Sequence, residues 1–260
     1  MREHATKAGA SVRASGLRAA AARAAAAAVD AALLLRLSLR LQLGKRFLAV
    51  PLLALLWPAY QALTLVVGWR AESFDASDAQ NALIGFPLAV LGIGLGVRII
   101  AGEIEQRTLE VTYTVPGGAA RVWISKLAAA AAALLAAEAL LGIVTALFFT
   151  PYPPSALYGA FQSAVFYLAA AAGLGALLRS EITAALVAGV LLTANGFLTG
   201  FGGAPSRWSP FFNPLAVDEA SAADVLAWTV QNRIGVALAT AALVALSCAR
   251  AERREKLLRV

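Results

Sequence analysis

Residues 98–126, RIIAGEIEQRTLEVTYTVPGGAARVWISK, form the stretch that decides how this chain folds. They are a short charged segment between two long apolar runs, 82–100 and 127–149. A polar segment of this length is too short to be a domain, and its charges keep it out of hydrocarbon. The sequence therefore predicts two membrane spans joined by a connector at the membrane surface.

The connector has the pattern of a short helix followed by a turn. Glu103 and Arg107 are four residues apart with the acid first, which is the favourable order for a helical ion pair. Pro116 and the two glycines after it favour a turn, because the residue before a proline avoids the α region. We expect a helix from Glu103 to Tyr113 that lies on the membrane surface and is free to contact a soluble partner.

The composition indicates a membrane protein. The chain has 260 residues, of which 60% are hydrophobic and 14% are charged, whereas soluble domains carry about 25% charged residues. Its mean hydropathy is +0.73. Apolar runs long enough to span a bilayer recur along the chain. We therefore predict an all-α polytopic membrane protein with six transmembrane helices, at about 47–69, 81–100, 127–149, 155–178, 182–201 and 225–249.

Other segments flank or interrupt these spans. Residues 1–46 are basic, and 16–44 has the pattern of an amphipathic helix in the membrane plane, with a polar tail of little role as the alternative. Residues 202–224 are too apolar for a solvated loop, and we expect them to enter the outer leaflet as short re-entrant helices. Residues 250–260 form a second basic tail. The predicted organisation is thus a transmembrane domain, 47–249, between two basic cytoplasmic tails.

The distribution of charge predicts the orientation of the chain. With the N-terminus in the cytoplasm, nineteen of the 22 lysines and arginines lie on the cytoplasmic side, and six of the 15 acids lie outside. Basic residues concentrate in the cytoplasmic loops of membrane proteins. We therefore predict a multi-pass protein of the inner (plasma) membrane with both termini cytoplasmic.

The connector resembles the segment after the second span of ABC-2 type transporter permeases. That family has an acidic residue, a Thr-Leu-Glu sequence, a proline a few residues later, and then an Arg and a Lys that enter the third span. The matching residues here are Glu105, Thr108, Leu109, Glu110, Pro116, Arg121 and Lys126. The family's usual glycine before the threonine is Arg107 in this chain. The segment WSPFFNPL at 208–215 and the pair Asn232-Arg233 also resemble the family, before and at the start of its last span.

The resemblance implies a membrane permease subunit of an ATP-binding cassette exporter. Two such chains, as a homodimer or a heterodimer, would pair with two cytosolic ATPase subunits, and spans 2 and 5 would line the central path. The connector helix would be the coupling helix that docks on the ATPase. The residues expected to couple the chain to the ATPase are Glu103, Glu105, Arg107, Leu109, Glu110 and Pro116.

Several chemistries are excluded by what the sequence lacks. There is no Walker A motif, because Gly44-Lys45-Arg46 lacks the Ser or Thr that must follow the lysine. With one histidine, His4, and one cysteine, Cys248, there are too few ligands for a zinc site and no partner for a disulfide. We therefore expect no catalysis, metal or cofactor on this chain, with ATP and Mg²⁺ bound by the partner subunit. The basic charge follows the topology and does not indicate a nucleic-acid partner.

Four polar residues inside the predicted spans are candidates for function. Glu138 either lines a translocation path or is a structural carboxyl that is neutral or bonded to a neighbouring helix, since an intramembrane charge costs a few kcal/mol. Asn195 and Gln61 favour interhelical hydrogen bonds over substrate contact. Arg233 can reach Glu138 or the outer acids, or extend to the membrane interface.

Two glycines predict where helices pack closely. Gly92 and Gly96 in span 2 stand four residues apart on one helix face. Such a pair of small residues lets the backbone of another helix approach. We therefore expect another span to pack against this face.

The predicted function is export by a complex that hydrolyses ATP on another subunit. Spans rich in Ala and Leu with few charges favour an amphipathic or lipid-like substrate over a highly charged one, and membrane lipids surround the chain. The alternative is a non-transporting membrane scaffold or assembly factor on the same fold, because fold does not determine function. Substrate-stimulated ATP hydrolysis would distinguish the two.

Overall fold

A computed structural model describes residues 33, 49–70, 72–108, 113, 119–200, 206–217 and 220–252 of the chain. All regular structure in these residues is helical, and they contain no β-strand. The all-α prediction is therefore confirmed for this part of the chain. Apart from Leu33, the predicted in-plane helix and basic tail at 1–46 lie outside the described residues, as do residues 253–260.

Six helices run through the described residues, one for each predicted span. Their bounds are α1 Ala49–Ala54 continued by Leu56–Val66, α2 Ala76–Glu105, α3 Ala119–Phe148, α4 Pro154–Leu178, α5 Glu181–Gly200 and α6 Ala222–Ala251. Helices α2, α3, α4 and α6 are long and apolar enough to cross a membrane, whereas α1 and α5 are apolar but shorter. The four long helices suggest a multi-pass membrane protein.

Prolines limit α1. The helix is interrupted at Leu55, so that Pro58 falls in the first turn of the second piece, where a missing N–H is tolerated. The helix ends at Val66, and Gly68, two residues later, has a φ of 77°, the left-handed conformation that glycine adopts without strain. Helix α1 is therefore shorter than the apolar run that encodes it.

A proline also explains how α1 attaches to α2. Residues Ala79–Gly85 of α2 are π-helical, and the N–H of Phe86 bonds to the carbonyl five residues back. In this register Pro87, which has no N–H, leaves the carbonyl of Ala82 without its helical donor. The indole Nε1 of Trp57 in α1 donates to this oxygen at 2.7 Å. The bond thus satisfies a half-buried carbonyl and joins the two helices.

The most extensive helix contact among the described residues is between α2 and α4. A Cβ atom on Gly92 would lie 2.6 Å from the carbonyl oxygen of Ala164. One on Gly96 would lie 2.9 Å from the Cβ of Ala171 and closer still to the carbonyl oxygen of Leu168. Both glycines therefore lie where the two backbones touch, at the positions that the sequence indicated for helix packing.

The segment before α6 differs from the predicted re-entrant helices. In the described part, 206–217, the only helical turn is the three-residue 3₁₀ helix Pro214–Ala216. Phe212 and Asn213 of this segment are nevertheless fully buried. The segment enters the helix bundle as irregular chain, because side-chain amides of the neighbouring helices, described below, satisfy its backbone.

We predict that Gly96→Ala destabilises the protein while Gly94→Ala does not. A methyl group at 96 must push apart two packed backbones, which costs about 1–3 kcal/mol. Gly94 is the matched control, since it is exposed on the same helix and a Cβ there meets nothing within 4 Å. The measurement is the thermal unfolding midpoint in detergent. Equal midpoints for the two variants would contradict the close contact between α2 and α4.

Candidate functional site

The predicted connector helix does not begin at Glu103. Helix α2 continues without a break through Glu103 to Glu105, its last residue, and Gln106 is its C-cap. The next residue, Arg107, is left-handed with φ 56° and is therefore outside the helix. The expected helical pair between Glu103 and Arg107 is replaced by another contact of Glu103. Leu109, Glu110 and Pro116, the other predicted coupling residues, lie outside the described residues.

An ion pair joins the two helices on either side of residues 106–118, the part of the chain between α2 and α3 to which the name connector refers from here on. Lys126 in α3 donates from Nζ to Oε1 of Glu103 in α2, and the two side chains are only 9% and 18% exposed. The ammonium also lies 5.5 Å from the ring centroid of the buried Trp123. Glu103 was predicted to face the cytosol, but it turns inward because the lysine next to the apolar run needs a counter-charge.

Glu105 attaches the end of α2 to the start of α5. Its Oε1 accepts the backbone N–H of Glu181, the first residue of α5, at 2.8 Å. An acid at this place satisfies an N–H that has no partner within the helix. The Glu181 carboxylate lies 3.8 Å from Arg98 Nε and packs on Gly102, so the two helices exchange contacts in both directions.

The connector also contacts α6. The hydroxyl of Tyr113 donates to the carbonyl oxygen of Ala251, the last residue of α6, and the ring packs against the main apolar core. This bond satisfies a carbonyl at the helix end. The connector and the residues at its two ends therefore link α2, α3, α5 and α6. We call this end of the bundle the connector end.

At the far end of the bundle, amide side chains hold segment 206–217. Gln80 donates to the carbonyl of Phe212 at 3.0 Å, and Asn213 donates to the carbonyl of Ser77 at 2.8 Å. Asn232 in α6 donates to the carbonyls of Arg207 and Ser209, at 2.9 and 2.8 Å. These bonds connect α2 and α6 through a stretch of chain whose own hydrogen bonds are those of short turns.

The structure separates two residues that the sequence suggested could pair. Arg233 donates from Nη1 to Oε1 of Gln162 at 3.2 Å, and Gln162 donates back to the carbonyl of Arg233 at 2.6 Å. Glu138 instead lies between α3 and α4 near Tyr152, and no Lys, Arg or His in the described part of the chain comes within 4 Å of it. A direct Glu138–Arg233 ion pair is therefore not formed.

The two candidate amides take different positions. Asn195 in α5 accepts a hydrogen bond from the Ser209 hydroxyl at 3.0 Å, so it fixes segment 206–217 to its helix. The side chain of Gln61 is half-buried, and its backbone carbonyl accepts a hydrogen bond from the hydroxyl of Thr64. The bonding role predicted for Asn195 thus has a partner in the structure, whereas no hydrogen bond of the Gln61 side chain occurs among the described residues.

A cavity of about 590 Å³ lies between α1, α2, α5 and segment 206–217. Its lining combines four aromatic rings with two small polar side chains: Trp57, Phe86, Phe197, Phe211, Asn81 and Thr193. A concave apolar site with a few polar groups is typical of small-molecule binding. None of these six residues was a predicted site residue. Pro87 is the feature of the sequence that could have indicated this cavity, because it leaves the carbonyl of Ala82 free to accept the hydrogen bond from Trp57. That effect depends on the π-helical hydrogen bonding of α2, which the sequence alone does not show.

Comparisons with protein-family models, with curated proteins and with solved structures found no match to this chain.

We predict that Lys126→Met destabilises the protein more than Arg121→Met. Removing Lys126 leaves a largely buried carboxylate without its partner, which costs about 3 kcal/mol. Arg121 is a basic residue of the same helix that is exposed, so it controls for the loss of charge. The measurements are the yield of folded protein and the unfolding midpoint. The double variant Glu103→Lys with Lys126→Glu should recover part of the lost stability, because it restores a pair of opposite charges. If Lys126→Met leaves the unfolding midpoint unchanged and the double variant is no more stable than Lys126→Met, the ion pair is contradicted.

We also predict that Arg107→Gly stabilises the protein. An L-residue in the left-handed conformation costs roughly 1–2 kcal/mol, which glycine avoids. Arg107→Ala removes the same charge but keeps the backbone cost, so it should not stabilise. The unfolding midpoint should therefore rise for the glycine variant alone. A rise of the same size in both variants would assign the effect to the charge and contradict the backbone explanation.

Proposed function

We propose that this chain is the membrane permease subunit of an ATP-binding cassette exporter, in which a separate cytosolic subunit hydrolyses ATP. The observation that carries the proposal is the set of bonds at the connector end. Three contacts tie together the ends of α2, α3, α5 and α6 around the connector. They are Glu103 with Lys126, Glu105 with Glu181, and Tyr113 with Ala251. A partner that moves the connector would therefore move α2, α3, α5 and α6 together.

In this proposal the coupling is mechanical. Helix α2 is continuous to Glu105 and its last turn carries both glutamates, so displacement of this end would move the whole span. The Glu103–Lys126 pair transmits displacement to α3, and Glu105 transmits it to α5 through the first N–H of that helix. Packed elements shift as units between discrete arrangements rather than bending continuously. Contact with the ATPase falls mainly to residues between 106 and 118, since Glu103 and Glu105 are engaged inside the chain.

The aromatic cavity supports the same function from the far end. Its walls include α2 and α5, the two helices that the family resemblance assigns to the central path. Four rings and two uncharged polar groups suit an amphipathic or lipid-like substrate, because an apolar body packs on the rings while one polar group bonds to Asn81 or Thr193. A charged substrate would find no counter-charge among the residues of this lining.

The proposal includes a second permease chain and six spans. Helix α5 exposes large apolar side chains along its length, including Ile182, Leu186 and Val190, which lipid or a second chain can cover. Helices α1 and α5 then cross the membrane with the four longer helices. In this arrangement the connector end, where α6 ends at Ala251, faces the cytoplasm.

We expect an amphipathic substrate to stimulate ATP hydrolysis when the chain is reconstituted with its ATPase subunit in proteoliposomes. Phe197→Ala should raise the substrate concentration for half-maximal stimulation several-fold, because Phe197 lines the cavity. Leu238→Ala, an exposed apolar position of α6 that lines no described cavity, is the matched control. Assembly of the complex with neither stimulated hydrolysis nor transport would support the scaffold function instead.

A further inference from the structure

Glu138 is a buried carboxyl group for which the proposed transport cycle has no role. Its residue is 4% exposed, and Oε1 has no hydrogen-bond partner among the described residues. An ionised carboxylate without a partner in an apolar interior is so costly that the group takes up a proton instead. A carboxyl that persists in such a place is typical of a proton site in membrane proteins.

Among the described residues, no charge lies near Glu138 that would keep it ionised. The core around this face of α3 is apolar and includes Leu134 and Leu141 of α3 together with Ala160 of α4. The backbone amide of Phe161 faces the carboxyl from α4. The phenol of Tyr152, in the turn between α3 and α4, is a titratable side chain close to it. Burial raises the pKa of Tyr152, so this phenol stays protonated at neutral pH.

Hydroxyl groups lead from Glu138 towards the end of α3. The Tyr152 hydroxyl lies over Gly142, 2.6 Å from where a Cβ would stand, one helical turn beyond Glu138. Thr145, fully buried on the same side of α3, has a hydroxyl with no partner in the described part of the chain. Positions 138, 142 and 145 share one helix face and span roughly 10 Å along the axis. The turn at 149–153 lies beyond them.

We propose that Glu138 is a proton-binding site, a neutral carboxylic acid that exchanges its proton with the solvent at the 149–153 turn through the hydroxyls of Tyr152 and Thr145. In each transfer the carboxyl passes its proton to a hydroxyl oxygen while that hydroxyl releases its own proton onward, and water at the turn is the final acceptor. The return reaction runs in the opposite order. Glycine at 142 is part of the site, because a side chain there would displace the phenol. The site does not depend on the proposed export function.

The test is infrared spectroscopy of the purified protein in detergent at neutral pH. We expect an absorption band of a protonated carboxylic acid, lost in Glu138→Gln and shifted to lower frequency when D₂O replaces water. The shift should develop several-fold more slowly in Tyr152→Phe than in the wild type. Tyr158→Phe is the matched control, since Tyr158 is also near the start of α4 but stacks on Arg233.

Each alternative result overturns a named part of the proposal. Absence of the band from the wild-type protein, or a band that survives in Glu138→Gln, shows that Glu138 is not the protonated group. An unchanged exchange rate in Tyr152→Phe overturns the path through the phenol. If Glu138→Gln does not fold, the wild-type protein is treated with dicyclohexylcarbodiimide instead. This reagent reacts with protonated carboxyls in apolar sites. The band should then disappear as an adduct forms on Glu138, and an adduct elsewhere contradicts the assignment.

Discussion

The rest of the structure depends on the close contact between α2 and α4. Apolar side chains gain nothing by leaving lipid for protein, so helices in a membrane associate through packing and hydrogen bonds. Gly92 and Gly96 supply that packing, because without side chains they let the two backbones touch. Helices α3, α5 and α6 all pack against α4, so the axis of this pair sets where their ends lie. Both the connector end and the far end are positioned by this one contact.

The two ends satisfy their polar groups in different ways. The connector end has charged side chains beside apolar runs, and it pairs them: Lys126 with Glu103, and Glu105 with a helix N-terminus. The far end has irregular backbone among buried side chains, and Gln80 and Asn232 donate to its carbonyls. Charges suit the first site because they can also reach water, whereas neutral amides suit the second because burying them costs less. Glu138 is the exception, a buried carboxyl to which neither solution applies.

The sequence by itself determined the helical class, the number of helices and their approximate bounds, because apolar runs separated by charges leave the backbone no other way to satisfy its hydrogen bonds in lipid. It also determined where Gly92 and Gly96 allow close packing. Only the tertiary structure decided the partners of the polar residues. Glu103 and Arg107 have the spacing of a helical pair, yet the helix ends between them, and Lys126, 23 residues away, takes the glutamate. The cavity likewise depends on residues from α1, α2, α5 and segment 206–217, whose approach is set by packing between distant parts of the chain. Periodicity and spacing in the sequence describe contacts within one helix, whereas these contacts join residues of different helices and depend on how the helices pack.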